Sequence, residues 1–596
     1  MATLTKTKQI TLLFLVSCIL FAIVGQYAGG AFFLKETSIP LRYLSYSTLY
    51  DYWGEYINHR DFKGTLGFSA IIAASTTIIP LSLMLFFIMV SHKKEELHGS
   101  ARFANEKELA KSGLFPKEKE RKQPSILLGK MNEGRFKGKF VELMGSLFVG
   151  LGAGTRMGKG VSMVLPNLVT YIGSVVVLDI KLENFTKSGG FRKKHNHEVF
   201  LYSPDGYNPD DVENPDGCNP NELRTHGWNP FDYVRRHKAF RIGDILTITT
   251  SLYPLTGDKN DVWNRLAGKL FKGLALWLLD TENITKQTPT LPYLFSLTGV
   301  EGGLDKWMKR EISQGYLSDD AILEFNNYIA TAEETKGSIL SSLVSPLAIF
   351  SDKVVAASVS HSSFNFSDLR RKKMAIYVGI QPGNLGKFST LINLFFEQLI
   401  NENTRVLPEQ DPTLKEQCLL LMDEFTSIGR VSQIAKSISF MAGYNLRFLL
   451  IYQNEAQLED KYAYGKEGAR NILSNLGARV IFPPKEVDDS VKRLSETLGT
   501  KTVKVKNKSI SRGKHPSTTR NSTPHKRALM MPHEIVELGM EKHETAPLGK
   551  KSILLKENQR AFIMDKIFYF DEPILNERVE YSKNNIPTIP LIRLQN

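Results

Sequence analysis

The sequence predicts an α/β protein: a largely parallel sheet carrying a phosphate-binding loop, interrupted by an all-helical insertion and preceded by two membrane-spanning helices. Two long uncharged runs stand near the N-terminus, short β-branched apolar runs recur between helical stretches, and one such run leads into a glycine-rich turn ending in lysine. The composition is globular, with 596 residues, 42% hydrophobic and 23% charged, which excludes disordered and collagenous chains. Cys18, Cys218 and Cys418 are odd in number and far apart. A disulfide framework is excluded, and so is a zinc site of four clustered cysteines.

Gln9–Leu34 and Gly64–His92 carry no formal charge, and each exceeds the roughly 20 residues that cross a bilayer core. They predict membrane helices over about 10–34 and 66–92, within an anchor covering 1–92. Lys6 and Lys8 precede the first run, Lys93 and Lys94 follow the second, and the loop between them balances four basic against four acidic residues. The positive-inside rule then places both termini in the cytoplasm and the loop in the periplasm. A cleaved signal peptide, a lipidation box at Leu15-Val16-Ser17-Cys18 and a pair of buried core helices are the competing readings. The first run continues sixteen residues past Cys18 without a cleavage-like end. Gly25 and Gly29 have the G-x-x-x-G spacing that lets two helices approach closely, with coincidence as the alternative. Residues 93–139 follow as a juxtamembrane connector of mixed charge.

The strand-like runs are Leu147–Val149, Val175–Leu178, Val199–Leu201, Ala375–Val378, Leu419–Met422, Phe448–Ile451 and Val480–Phe482. Continuous apolar character over three to five residues is what strands buried on both faces require. From about 231 to 363 such runs are absent, and helical spacing takes over at Trp263, Leu266, Leu270, Phe271, Leu274 and Leu278, then at Ile339, Leu343, Leu347 and Phe350. The expected division is a nucleotide-binding domain in two segments, 140–231 and 366–585, an all-α insertion over 232–365, and a tail at 586–596. After Asp571, three prolines and no strong helical period suggest a segment that lies along the domain or hangs free.

Chemistry begins after the Leu147 run, at Gly152-Ala153-Gly154-Thr155-Arg156-Met157-Gly158-Lys159-Gly160-Val161-Ser162. Strand, glycine-rich turn, Gly-Lys and helix is the order of a phosphate-binding loop: backbone N–H groups and a helix N-terminus face a polyphosphate, and Lys159 reaches its outer phosphates. The match to G-x-x-x-x-G-K-[ST] is imperfect, since Ala153 replaces the first glycine and Gly160 replaces the Mg²⁺-binding hydroxyl. A tight structural turn is the competing reading. The run Leu419–Met422 then ends in Asp423-Glu424. Asp423 would hold the Mg²⁺ shell and Glu424 would polarise the attacking water, unless the pair only caps a helix. Phe448–Ile451 leads to Tyr452-Gln453, where a glutamine can hydrogen-bond a γ-phosphate or a water.

Seven segments in order carry a family likeness: His98-Gly99-Ser100-Ala101-Arg102-Phe103-Ala104, the loop Ala153–Gly160, Asp179-Ile180-Lys181-Leu182-Glu183, Asn229-Pro230-Phe231, Met422–Arg430, Gln453-Asn454-Glu455-Ala456-Gln457-Leu458 and Leu529–Ile535. They resemble the type IV secretion coupling proteins of the TraG/VirD type, relatives of conjugation ATPases and FtsK-like DNA pumps. The resemblance implies a RecA/FtsK-like ATPase that uses ATP and Mg²⁺, binding nucleotide through Ala153, Gly154, Thr155, Arg156, Met157, Gly158, Lys159, Gly160 and Val161. Its catalytic set is Lys159, Asp423, Glu424 and Gln453, with Asp423 at the metal. Thr155 and Ser162 are both open as the Mg²⁺ hydroxyl. Some relatives carry an arginine before Gln453 that acts across a subunit boundary; here Ala442 stands there, and Arg447 or Arg156 would have to substitute, with a surface salt bridge the simpler role for Arg447.

The resemblance further implies a homo-hexamer on the cytosolic face of a bacterial inner membrane, in contact with membrane lipid. It would pass a relaxase–DNA complex or protein effectors to a type IV secretion channel, alongside the channel components and a second secretion ATPase. An FtsK-like DNA pump without a channel and a docking receptor with a structural P-loop are the alternatives. Between Lys501 and Met530 stand nine Lys or Arg and no acidic residue, of a net charge of +14. Their Ser, Thr, Asn, Pro and Gly surroundings predict a mobile loop that would hold nucleic-acid phosphates, anionic lipid or an acidic surface, or simply a solvated linker. It lacks the aromatic interleaving expected for base stacking.

Overall fold

The computed structural model describes residues 6–90, 97–206, 222–255, 257–259, 261–511 and 517–594. Two compact units emerge, Met1–Leu97 and His98–Asn596. Cys218 lies outside the described residues.

The N-terminal unit holds helices Lys6–Glu36, Thr48–Tyr56 and Lys63–Val90. Among the described residues, Val16–Glu36 is the one helical segment long and apolar enough to cross a membrane. The expected second span is helical from Lys63 to Val90, and its last residues, 91–92, lie outside the described residues. The two long helices pack through the glycines, because a Cβ on Gly25 would meet the Ala73 carbonyl at 2.6 Å and one on Gly29 the Ser69 carbonyl at 2.5 Å. The G-x-x-x-G spacing thus does its work inside this unit. Phe33, Leu34, Leu49, Leu66 and Ala73 close a small apolar cluster at the loop end.

The second unit is built on one mixed sheet of 11 strands. In chain order these are β1 (Ser125–Lys130), β2 (Phe140–Met144), β3 (Val149–Gly152), β4 (Ser174–Ile180), β5 (Glu198–Tyr202), β6 (Met374–Ile380), β7 (Cys418–Met422), β8 (Leu446–Tyr452) and β9 (Ala478–Ile481). After a separate pair, β10 (Thr500–Ser511) and β11 (Ser517–Ala528), come β12 (Lys551–Lys556) and β13 (Phe562–Asp565). The spatial order is β2-β1-β13-β12-β9-β3-β8-β7-β4-β6-β5. Each of the seven runs expected to be strands overlaps one, although β3 takes only Val149 from its run and β9 stops before Phe482, and these strands form the contiguous parallel part from β9 to β5. Their unbroken apolar character follows from burial on both faces: every residue of β6, β7 and β8 is buried. On the β9 side β12, β13, β1 and β2 add antiparallel strands.

The 93–139 segment therefore departs from the expected connector. β1 joins the sheet, and the helix Glu106–Lys111 ahead of it carries an Asn105/Glu108 capping box and buries Leu109. Between β5 and β6 the chain forms helices from Lys238–Leu252 to Lys353–Ser358. The longest, Asp261–Thr285, buries Leu270, Phe271, Leu274 and Leu278, in a cluster continuous with Val176 and Leu178 of β4. Sheet face and helical layer share one core, which is why the insertion does not separate as a body of its own.

Two further expectations change. Pro573 starts a helix, Pro573–Lys583, in the first turn, where the missing N–H costs nothing. The tail beyond it is tied down, with Ile589 buried and Thr225 donating its backbone N–H to the Pro590 carbonyl at 3.1 Å. The basic stretch is not a loop: β10 and β11 pair antiparallel in continuous register from Thr500↔Ala528 to Ser511↔Ser517.

Candidate functional site

β3, β8, β7 and β4 lie side by side and parallel, so the segments leaving their C-terminal ends meet along one sheet edge. From β3 the chain enters the loop, tied to β8 by the Ala153 N–H donating to the Tyr452 carbonyl at 3.0 Å. Arg156 and Gly158 take positive φ of 59° and 82°. Gly158 is doubly constrained, since a Cβ there would also lie 3.0 Å from Leu548. The following helix opens with a wide π-turn over Gly160–Val164, where Val161 is half-buried. A Cβ on Gly160 would meet nothing within 4 Å, so the backbone there stays open to an anion.

Lys159 heads this turn and reaches both carboxylates that leave β7. Its ammonium lies 3.3 Å from Asp423 Oδ1 and hydrogen-bonds Glu424 Oε1. Glu424 sits at φ 57°, a left-handed turn directly after the strand that aims its side chain back at the loop. Gln453, just past β8, donates from Nε2 to Glu424 Oε2 at 3.1 Å and accepts from the Thr155 hydroxyl at 3.3 Å. Gln457 Nε2 steadies the same Gln453 oxygen at 3.4 Å. Lys159, Asp423, Glu424 and Gln453 thus form one connected cluster, closed onto the loop through Thr155.

Burial pushes the Asp423 carboxyl above its usual range, an effect that Lys159 opposes and Glu424 reinforces. Its Oδ1 is buried and makes no hydrogen bond, so beyond the ion pair it keeps an acceptor for a cation. Of the two candidate hydroxyls, Ser162 is buried and donates to the Gly158 carbonyl at 2.7 Å. Thr155 is exposed and reaches the carboxylates through Gln453.

Two residues were given no role by the sequence, and the roles it offered a third are overturned. Asp179, at the end of β4, is fully buried and accepts the Asn184 and Phe185 N–H groups at 3.1 and 2.7 Å. Burial raises its carboxyl to about 7, and Asp423 adds to the rise. It belongs to the quoted segment Asp179–Glu183, a signal that was present but assigned no role. Lys566, after β13, is buried; its ammonium donates to the Met157 carbonyl of the loop at 3.1 Å and lies 3.9 Å from the centre of the Phe482 ring. Burial lowers it to about 7. Nothing in its sequence surroundings marks it, because 409 residues separate it from Met157. Arg447 is no surface residue: it is fully buried within β8 and donates to the Leu147 and Leu143 carbonyls at 2.8 and 2.9 Å. Burial lowers its guanidinium to about 10. Neither a salt bridge nor a charge offered to another subunit is open to it. Arg156, by contrast, is exposed beside Lys159.

Next to the loop a cavity of about 800 Å³ opens, lined by Gly154, Thr155, Met157, Gln453, Arg479 and Phe482 among others. Open loop amides, a lysine held over two carboxylates and an acceptor left on one of them suit a nucleoside triphosphate with a divalent cation. Fold and site together define a P-loop nucleotide-binding α/β protein.

Comparison with known proteins narrows the class. The chain matches the family described as type IV secretory system conjugative DNA transfer over residues 102–588, and it belongs to that family. It is 26% identical over 551 residues to Protein VirD4 of Rhizobium radiobacter, covering 90% of this chain and 73% of that one. It is 26% identical over 534 residues to the conjugal transfer protein TraG of Escherichia coli, covering 82% and 79%. Among solved structures, unbound bacterial conjugative coupling protein TrwB superposes with a TM-score of 0.55 at 15% identity, over 80% of this chain and 97% of that one. TrwB with a non-hydrolysable ATP analogue gives 0.54 at 16% identity, a likeness of fold.

Proposed function

We propose that this protein is a membrane-anchored ATPase that couples conjugative substrate to a type IV secretion channel. The observation that carries it is the Lys159–Asp423–Glu424–Gln453 cluster at adjacent ends of parallel strands, in a chain of the conjugative DNA transfer family. Its named relatives, VirD4 and TraG, support the transfer role, and TrwB crystallised with an ATP analogue supports ATP as the ligand. The anchor would comprise two membrane helices with both termini on the cytosolic side of the inner membrane, and the working assembly a homo-hexamer. Cargo would be a relaxase–DNA complex, effector proteins, or both.

Lys159 neutralises Asp423 and Glu424 together, so an arriving polyphosphate competes with both carboxylates for one ammonium. As the phosphates draw Lys159 away, Glu424 loses its ion pair and becomes a base for water. Gln453 stays bonded to Glu424 and keeps its carboxylate oriented. Mg²⁺, when bound through Asp423, supplies charge neutralisation for the leaving phosphate. The loop N–H groups and Thr155 orient the phosphate chain.

Full-length protein in membranes tests this directly. Lys159→Ala is expected to lose nucleotide binding, and Glu424→Gln to retain binding while ATP turnover falls by at least ~100-fold and transfer to recipient cells stops. A stable, membrane-bound Glu424→Gln protein that still supports full transfer would remove Glu424 from catalysis.

A further inference from the structure

We propose that the basic β10–β11 ribbon is a membrane-surface arm that lies along anionic lipid headgroups on the cytosolic face of the bilayer. This rests on the two-span anchor proposed above. β10 carries Lys501, Lys504, Lys506 and Lys508, and no Asp or Glu occurs between Thr497 and His533. The register pairs Lys504 with Pro524, Lys506 with Ser522 and Lys526 with Thr502. Paired residues share a face and side chains alternate between faces, so Lys504, Lys506 and Lys526 stand together on one side. All three are exposed.

The base of the ribbon is stitched to the first residues after the anchor. Ala101 N–H donates to the Thr500 carbonyl at 2.9 Å and Thr502 N–H to the Gly99 carbonyl at 3.1 Å. His98 N–H bonds the Thr502 hydroxyl at 2.9 Å, and the Thr500 hydroxyl bonds the His98 carbonyl at 2.7 Å. Gly99, at φ 116°, leaves no room for a side chain against the Thr500 carbonyl. Only eight residue steps separate His98 from Val90, the last described residue of the second long helix, and eight steps reach at most about 28 Å. A strand of 12 residues is about 40 Å long. The arm is therefore longer than the tether that holds its base to the membrane.

Juxtamembrane clusters of Lys and Arg are drawn to anionic headgroups, each residue near the surface adding roughly fivefold to the association. The ribbon offers nucleic acid less: from Thr500 to Ala528 it has no Phe, Tyr or Trp to stack on a base, and Arg527 is occupied by Glu534 at 2.5 Å.

The test uses the full chain in lipid discs of phosphatidylcholine alone or mixed with phosphatidylglycerol, reading backbone hydrogen exchange over 500–511 and 517–528 by mass spectrometry. Phosphatidylglycerol is expected to slow exchange there about tenfold, reversibly with added salt. The triple variant Lys504→Gln/Lys506→Gln/Lys526→Gln should lose this protection and keep its ATP turnover. Exchange indifferent to phosphatidylglycerol overturns the proposal, and so does protection conferred in phosphatidylcholine discs by a single-stranded oligonucleotide, which would make the ribbon a nucleic-acid surface. Carbonate washing of native membranes reads the anchor separately. A chain extracted by carbonate breaks the two-span reading, whereas a retained chain with a lipid-indifferent ribbon breaks this proposal alone.

Discussion

Gln453 bridges the loop and the carboxylate proposed to be catalytic, bonded to Thr155 on one side and Glu424 on the other. Gln453→Ala is expected to lower ATP turnover about tenfold or more while nucleotide affinity changes little, since it touches the carboxylate and not the phosphate-holding lysine. Steady-state kinetics beside equilibrium binding separates the two. Lys566 supplies a second residue-scale test. Burial holds its ammonium at about 7, whereas an unfolded lysine keeps its proton to about 10.4. Between these values the unfolded chain binds more protons than the folded one, so the Lys566 contribution makes stability rise with pH. Below the lower value both states are protonated and the dependence ends. The slope of the thermal midpoint above pH ~7 should therefore shrink in Lys566→Met.

At the scale of elements, β8 is held by more than apolar contact. Arg447→Met would take this donor from the buried Leu143 carbonyl and the half-buried Leu147 carbonyl, at a cost of about 1–3 kcal/mol. The thermal midpoint should drop while ATP turnover per folded molecule is unchanged, the opposite of what a trans-acting arginine would show. Beyond β7 from it, β4 turns into helix Glu183–Lys194 through Leu182, at φ 60° and buried. That position is glycine in the D-x-K-G-E pattern, and the left-handed backbone explains the glycine; here burial of the leucine offsets the strain. A methyl on Gly379 would run into the Leu182 side chain. Gly379→Ala is expected to destabilise by about 1–3 kcal/mol, and adding Leu182→Gly should recover part of the loss, a coupling that a double-mutant cycle of unfolding midpoints measures.

For the whole molecule, burial of Arg447 leaves Arg156 as the exposed arginine of the loop. Under the proposed hexamer it would act on a neighbouring subunit's nucleotide. Arg156→Ala alone should then lose turnover about 100-fold, and mixing it with Lys159→Ala subunits should restore part of the activity, because each supplies what the other lacks. Mixtures as inactive as either parent would confine Arg156 to its own subunit.

Sequence by itself determined the parallel sheet and the ends that carry the chemistry. Strands buried on both faces have to be apolar throughout, and a phosphate loop needs glycine, lysine and carboxylates in fixed order, so these leave local marks at Gly152–Lys159, Asp423, Glu424 and Gln453. The Gly25/Gly29 packing was legible for the same reason: close approach excludes side chains. What only the tertiary structure decided are the pairings between distant segments. Basic and polar composition made residues 501–530 read as a loop, because the pairing of β10 with β11 rests on backbone hydrogen bonds that composition does not display. The fate of Arg447 depended on which strands flank β8. The contact of Lys566 with Met157, and the seating of β1 in the sheet, joined residues whose sequence separation carries no pattern at all.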